Sequence, residues 1–306
     1  MGGSGGGYFP SRPDRLHSLI EKARESAEQQ RLDTDINGVL QDLLTTFNER
    51  DSEKIQEYLS KIKEILGKTI EVETFLFGGS VAKHTYVDGL SDVDALAILD
   101  REDLAGKSPG EVLNIFHKSL QDQLTYDKVK SVEKGRIAVT VVYRDSTEIQ
   151  LLPAIRTSGK VFISSARAKE WNETNPKAFQ RALTKANQRL NSALVPTIKL
   201  IKSINDGLPE QKRLIGCHIE SLALEAAKGY RGAKTVKALL THTLDHASKR
   251  VFSPIRDVTA QSRIVDSYLG KAKSPKRRVV ADALAGIVRK LDAATSADQW
   301  KTIVGG

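Results

Sequence analysis

The sequence predicts an α+β fold: a mixed sheet with flanking helices, joined to a C-terminal helical domain. Three observations predict it. Apolar runs bounded by glycines and polar residues, a strand signal, cluster between about residues 70 and 152. Ahead of them, apolar residues recur three and four apart, as on amphipathic helices. After Pro153 the composition changes and helical spacing returns. The expected division is a leader over 1–10, a sheet-bearing core with N-terminal helices over 11–160, and a helical domain over 161–306.

The elements follow in order. The opening MGGSGGG reads as a flexible leader or cloning scar and carries no fold information. Ser11–Gln30 places Leu16, Leu19, Ile20 and Ala23 at helical spacing, with Pro13 tolerated in the first turn. A second pattern runs from Asp33 through Ile36, Val39, Leu40, Leu43, Leu44 and Phe47. A third carries Ile55, Leu59, Ile62 and Ile65 and stops at Gly67. Strand character spans Ile70–Phe77 and Asp92–Leu99, with a short helix expected over Ser80–His84. Ser108 caps a helix that has Pro109 at its first position and reaches about Gln123. Strands are expected over Lys128–Val132, Ile137–Tyr143 and Glu148–Leu152. Helices then follow over Ser164–Trp171, Pro176–Leu190, Asn191–Asn205, Gly216–Lys228, Ala233–Lys249 and Lys276–Leu291, with Pro196 in a first turn.

Composition narrows the function classes. The chain has 306 residues, 40% of them apolar and 28% charged, which suits a folded domain or two rather than a disordered chain. No stretch approaches the roughly 20 apolar residues of a membrane span, and no apolar secretion segment opens the chain. The lone Cys217 excludes an internal disulfide and a cysteine-built zinc site, and fits a reducing cytoplasm. A net charge of +9 and a pI of about 9.4 fit contact with polyanions, nucleotides or nucleic acid.

The chemistry concentrates between Phe75 and Leu99. One apolar run ends at Gly78-Gly79-Ser80, and Asp92-Val93-Asp94 opens the next. Residues two apart on a strand share a face, so Asp92 and Asp94 project side by side. Adjacent carboxylates repel unless a cation lies between them, and oxygen-only ligands favour a hard ion such as Mg²⁺. The backbone N–H groups of a Gly-Gly-Ser turn suit phosphate. Together these residues point to a metal-bound nucleoside triphosphate.

Gly78-Gly79-Ser80 followed by Asp92-x-Asp94 resembles the signature of the polymerase-β-like nucleotidyltransferase superfamily. That resemblance implies a polymerase-β-like core and two Mg²⁺ ions, with Mn²⁺ as a substitute, held by Asp92 and Asp94. It also implies that Gly79 and Ser80 grip the pyrophosphate. Superfamily members carry a third acid on a later strand, three residues before a proline. Here that position is Gln150, before Pro153, while Glu148 lies on the same strand face two residues earlier. Glu148 is the candidate third carboxylate and Gln150 a neutral oxygen donor.

The segments INGVLQDLLTTFNERD (36–51), the motif from Gly79-Ser80 to Asp94, Leu151-Leu152-Pro153-Ala154, Trp171–Pro176 and Val195–Lys202 narrow the resemblance. Across about residues 30–230 the chain is similar to the bacterial cGAS/DncV-like nucleotidyltransferases (CD-NTases) of CBASS anti-phage systems. Such a protein makes cyclic di- or trinucleotides from ATP and other NTPs, and some relatives are switched on by nucleic acid or by a regulatory protein. The resemblance puts Lys202, with Lys199 one turn earlier, on the helix that supplies cations to the triphosphate. An RNA-terminal, CCA-adding-like enzyme and a catalytically inactive nucleotide or nucleic-acid sensor remain open on sequence grounds, the latter because Gln150 replaces the third acid. Tyr86 and Tyr143 read as core or rim rather than base-stacking residues, His218 as structural and Trp171 as a core anchor. The basic run Lys271–Arg278 reads equally as a nucleic-acid or partner contact and as a solvated helix start.

Overall fold

Pro13–Thr46 forms one helix, α1, where the sequence reads as two. The computed structural model describes residues 13–47, 52–77, 83–85, 93–99, 104, 106–124, 128–165, 169–255 and 265–305. No proline or glycine separates Gln30 from Asp33, and the polar side chains there bond within the helix rather than capping a new one. Gln29 Nε2 donates to Asp33 Oδ1 at 2.8 Å, Thr34 Oγ1 to the Gln30 carbonyl at 2.8 Å and Asn37 Nδ2 to the Asp33 carbonyl at 2.6 Å. Residues 17–31 are exposed, whereas Ile36, Leu40 and Leu44 are buried.

The next helix, α2 (Ser52–Leu66), stops before Gly67 as its pattern requires. In α3 (Pro109–Gln123) Ser108 and Glu111 form a reciprocal capping box, which satisfies two of the otherwise orphaned N–H groups. Both helices pack on one face of the sheet.

The sheet runs in the order β1 (Val72–Phe77), β2 (Val93–Leu99), β5 (Glu148–Thr157), β4 (Val139–Tyr143), β3 (Val129–Lys134). β2 and β5 are parallel and their other neighbours antiparallel. β5 outruns the expected end at Leu152. Pro153 falls between the stretch paired with β4, which ends at Leu151, and the stretch paired with β6 (Lys160–Ser164), which begins at Ala154. Its missing N–H therefore interrupts neither ladder on that edge. β6 pairs in turn with β7 (Trp171–Thr174). The helix expected over Ser164–Trp171 is thus replaced by a hairpin, in which the Ser165 N–H donates to the Glu170 carbonyl at 2.8 Å. Residues 166–168 lie outside the described set. The sheet runs on past residue 160 to Thr174.

Alternation divides the strands between two faces. Val93, Ala95, Ala97 and Leu99 of β2 and Ile149 and Leu151 of β5 pack with Ile62, Leu66, Phe116 and Leu120. Burying each large side chain contributes about 1.5–3 kcal/mol. The opposite face carries a smaller cluster of Leu96, Ile98 and Ala154.

The helical half comprises α4 (Pro176–Arg189), α5 (Leu194–Asp206), α6 (Gly216–Ala227), α7 (Val236–Arg250), α8 (Pro275–Ala293) and α9 (Ala297–Gly305). Pro196 sits in the first turn of α5 as expected. α9 has no counterpart in the sequence reading. Ile36, Leu40 and Leu44 of α1 join this core rather than the sheet's. Among the described residues no helix is long and apolar enough to cross a membrane.

Arg277 divides the basic run. It is fully buried, and its Nη1 donates to Asp266 Oδ2 at 2.6 Å and to the Val251 carbonyl at 2.8 Å, while Nη2 donates to the Gly270 carbonyl at 2.9 Å. Arg277 is therefore a staple, whereas Lys271, Lys273, Lys276 and Arg278 are exposed.

His218 is structural, as its sequence context suggested. The Ile215 N–H donates to Tyr268 Oη at 3.2 Å, and the Tyr268 hydroxyl faces His218 Nδ1 at 2.9 Å. The hydroxyl and the imidazole thus fix each other inside the helical core. Burial pushes the pKa of His218 down to about 4, with Arg277 and Arg250 adding to the fall and Asp266 opposing it. Between pH 6.5 and about 4 the unfolded chain binds a proton that the folded protein does not. Stability therefore falls as pH drops through that window, by at most ~3 kcal/mol, and this contribution is flat above it. Urea midpoints measured from pH 7.5 to pH 4.5 check this; the slope flattens in His218→Gln.

Candidate active site

The site lies on the sheet face away from α2 and α3. On β2, Asp94 shares the face of Leu96 and Ile98; on β5, Glu148 and Gln150 share the face of Leu152 and Ala154. The parallel register sets Asp94 directly beside Gln150, with Glu148 one same-face position before it. Thr140 of β4 is the partner of Gln150 on its other side. The sequence thus placed Glu148 and Gln150 on one face correctly, and the structure adds that Gln150 is the immediate neighbour of Asp94. Asp92, Gly79 and Ser80 lie outside the described residues, as do Tyr86 and most of the short helix expected over 80–84. Of that helix, Lys83 and His84 are described and form a turn.

The donor set tests whether this face suits a metal. Asp94 and Glu148 offer carboxylate oxygens and Gln150 an amide oxygen, so every donor is hard, which fits Mg²⁺ or Mn²⁺. Among the described residues no group of three or more His, Cys, Asp or Glu could by itself hold an ion.

Two lysines of the helical half are buried, and one of them, Lys202, feels the charge of Asp94. Lys199 and Lys202 of α5 are 6% and 8% exposed, so neither belongs to a solvated helix face. Burial lowers the pKa of Lys199, and the neighbouring Lys202 ammonium lowers it further. Burial also lowers that of Lys202, with Glu220 and Asp94 opposing and Lys83 assisting the fall. Lys202 Nζ donates to Glu220 Oε1 at 2.9 Å and to the Thr85 carbonyl at 2.8 Å. Glu220, on α6, also accepts from Lys83 Nζ and Thr85 Oγ1. Burial alone would raise its pKa, but the Lys202 and Lys83 ammonium groups and these hydrogen bonds outweigh that and hold the carboxyl below its ordinary value.

Sequence reading missed Glu220 and Lys83. The available signal was α6 itself, GCHIESLALEAA, which is apolar on most sides, so a charge within it needs a buried partner. Tyr143 faces the other side of the sheet and stacks on Tyr58 at 3.7 Å, as a core residue. Trp171 packs against the same core.

Carboxylate and amide oxygens on adjacent parallel strands, with a buried lysine of the helical half near one of them, are the arrangement that a polymerase-β-like nucleotidyltransferase fold presents. Comparison with known proteins makes this specific. Residues 31–187, just over half of the chain, match the family model described as the Second Messenger Oligonucleotide or Dinucleotide Synthetase domain. The chain belongs to this family and is a nucleotidyltransferase of the CD-NTase class, which synthesises cyclic oligonucleotides. No curated protein matches it by sequence.

Solved structures share the fold. The Bradyrhizobium diazoefficiens CD-NTase CdnG in complex with GTP is similar at a TM-score of 0.64 and 15% identity, over 84% of this chain and 91% of that one. The Escherichia coli MS115-1 CdnC:HORMA-deltaN complex is similar at 0.60 and 13% identity, over 85% and 93%. The same CdnC with ATP is similar at 0.59 and 13% identity, over 88% and 97%.

Proposed function

We propose that this enzyme joins nucleoside triphosphates, ATP among them, into an adenine-containing cyclic di- or trinucleotide that acts as an anti-phage alarm. The observation that carries the reading is the register of Asp94 beside Gln150, with the charge of Asp94 felt by the buried Lys202. Asp92 and Asp94, with Glu148 as third acid, would hold two Mg²⁺ ions, with Mn²⁺ as a substitute. The metal supplies Lewis-acid stabilisation of the transferring phosphoryl group. Gly79 and Ser80 bind the leaving pyrophosphate through backbone N–H groups. Lys199 and Lys202 offset the charge of the triphosphate as compact cations. Gln150 orients the ligand sphere through its neutral oxygen. The GTP, ATP and HORMA-protein complexes of similar structures support NTP substrates and a regulatory-protein activator; the basic surface leaves nucleic acid as the other class of activator.

The test incubates the protein with Mg²⁺ and each NTP mixture, with and without candidate activators, and identifies products by mass spectrometry. A cyclic product containing adenine is expected. Transfer to a tRNA 3′ end with no cyclic product overturns the reading. In the same assay, Glu148→Gln lowers the rate at least about tenfold, because it removes a charge from the metal sphere. A full rate in that variant, with loss in Gln150→Ala, moves the third position to Gln150.

A further inference from the structure

Glu220 joins three parts of the molecule at one carboxylate. It is 1% exposed on α6. Its donors are Lys83 and Thr85, from the connection between β1 and β2, and Lys202 from α5. In sequence, Lys83–Thr85 lies midway between Gly78-Gly79-Ser80 and Asp92. The Lys83 ammonium also rests 4.9 Å from the ring centroid of Phe179 on α4. The middle of the motif-bearing connection is thereby fastened to three helices of the opposite half.

Among the described residues the charges here do not cancel. Two ammonium groups, Lys83 and Lys202, meet one carboxylate, Glu220. Lys202 feels a second anion as well, Asp94. An ammonium that settled on Asp94 would compete with any cation for that carboxylate. Glu220 offers Lys202 a short, buried alternative, at 2.9 Å, and the Thr85 carbonyl fixes the same ammonium at 2.8 Å.

We propose that Glu220 is a positioning residue for nucleotidyl transfer: it pins Lys83–Thr85 to the helical half and holds the Lys202 ammonium off Asp94, leaving that carboxylate to a divalent cation. The proposal rests on the reading of Asp94 as a metal-holding residue. It predicts that removing the charge at 220 damages metal binding at a distance, and that removing the Lys202 charge as well repairs it. A carboxylate that served packing alone predicts parental Mn²⁺ affinity in Glu220→Gln wherever that variant folds.

The experiment titrates the full chain with Mn²⁺ alone, followed by electron paramagnetic resonance, and measures amide exchange in the same samples. Glu220→Gln is expected to bind Mn²⁺ about tenfold more weakly than the parent, since a nearby cation disfavours a second one. Glu220→Gln/Lys202→Met is expected to recover to within about threefold of the parent. Amides of 83–85 exchange faster in both variants, because the pin is gone in both. Parental Mn²⁺ affinity in Glu220→Gln, equal weakness in the double variant, or unchanged exchange at 83–85 overturns the proposal. Where Glu220→Gln fails to fold, the double variant, which leaves one fewer unpaired buried ammonium, carries the test alone: weak Mn²⁺ binding by it overturns the proposal. A parent protein that binds no Mn²⁺ removes the reading of Asp94 beneath it. Failure to form a cyclic product, with these binding results intact, bears on the reaction alone.

Discussion

Asp94→Asn is expected to abolish nucleotide transfer and to leave the fold standing. The substitution keeps the size and shape of the side chain and removes its charge. Asp94 is only half-buried and sits near the start of β2, so the sheet loses no packing. What is lost is the anionic oxygen beside Gln150. Charge stabilisation through a metal is worth several kcal/mol, and each 1.36 kcal/mol is tenfold in rate, so synthesis falls by at least about 10³-fold. The rate of product formation at saturating NTP and Mg²⁺ measures this, with the thermal midpoint as a control that stays within a few degrees. Asp92→Asn/Asp94→Asn falls little further, because residues that act as one unit are not additive. A variant within tenfold of the parent would show that the chemistry is centred elsewhere.

The second large effect is on stability. Arg277→Met conserves much of the side-chain volume but strips the buried Asp266 of its guanidinium and leaves the Val251 and Gly270 carbonyls without their donor. Breaking a buried pair from one side costs about 3–5 kcal/mol, since the remaining charge is left uncompensated. The urea midpoint of the variant falls accordingly at neutral pH. Adding Asp266→Leu recovers part of the loss, because the stranded carboxylate goes too; the double-mutant cycle is therefore strongly non-additive. Equal losses in the single and double variants would mean that packing, not charge, makes Arg277 matter.

Local signals carried the fold a long way. Ser108 and Pro109 announced α3, Gly67 closed α2, and the two-residue spacing put Glu148 and Gln150 on one face of their strand. Tertiary pairing hid the rest. β6 and β7 hold five and four residues, too few for a clear period, and their strand state depends on β5. The register of Asp94 beside Gln150 joins strands that are separated in sequence by two others, so no local pattern encodes it. Glu220 was invisible for a related reason: its donors Lys83 and Thr85 lie 137 and 135 residues away. Lys199 and Lys202 were found through a resemblance; their burial reflects the packing of α5, which is buried continuously from Thr197 to Ile204.

The place of α1 in the helical core has a consequence for synthesis on the ribosome. Ile36, Leu40 and Leu44 share one cluster with Trp300 and Val304 of α9. α1 leaves the exit tunnel first among the described elements, yet part of its apolar face has no cover until α9 has been made. At ~5–20 residues per second that interval lasts roughly 10–50 s. The sheet, whose strands span residues 72–174, can assemble in the meantime. The sheet face that carries Asp94, Glu148 and Gln150 would then form before the helices that supply Lys199, Lys202 and Glu220, so Lys83 and Thr85 wait for their buried carboxylate until α6 has been made.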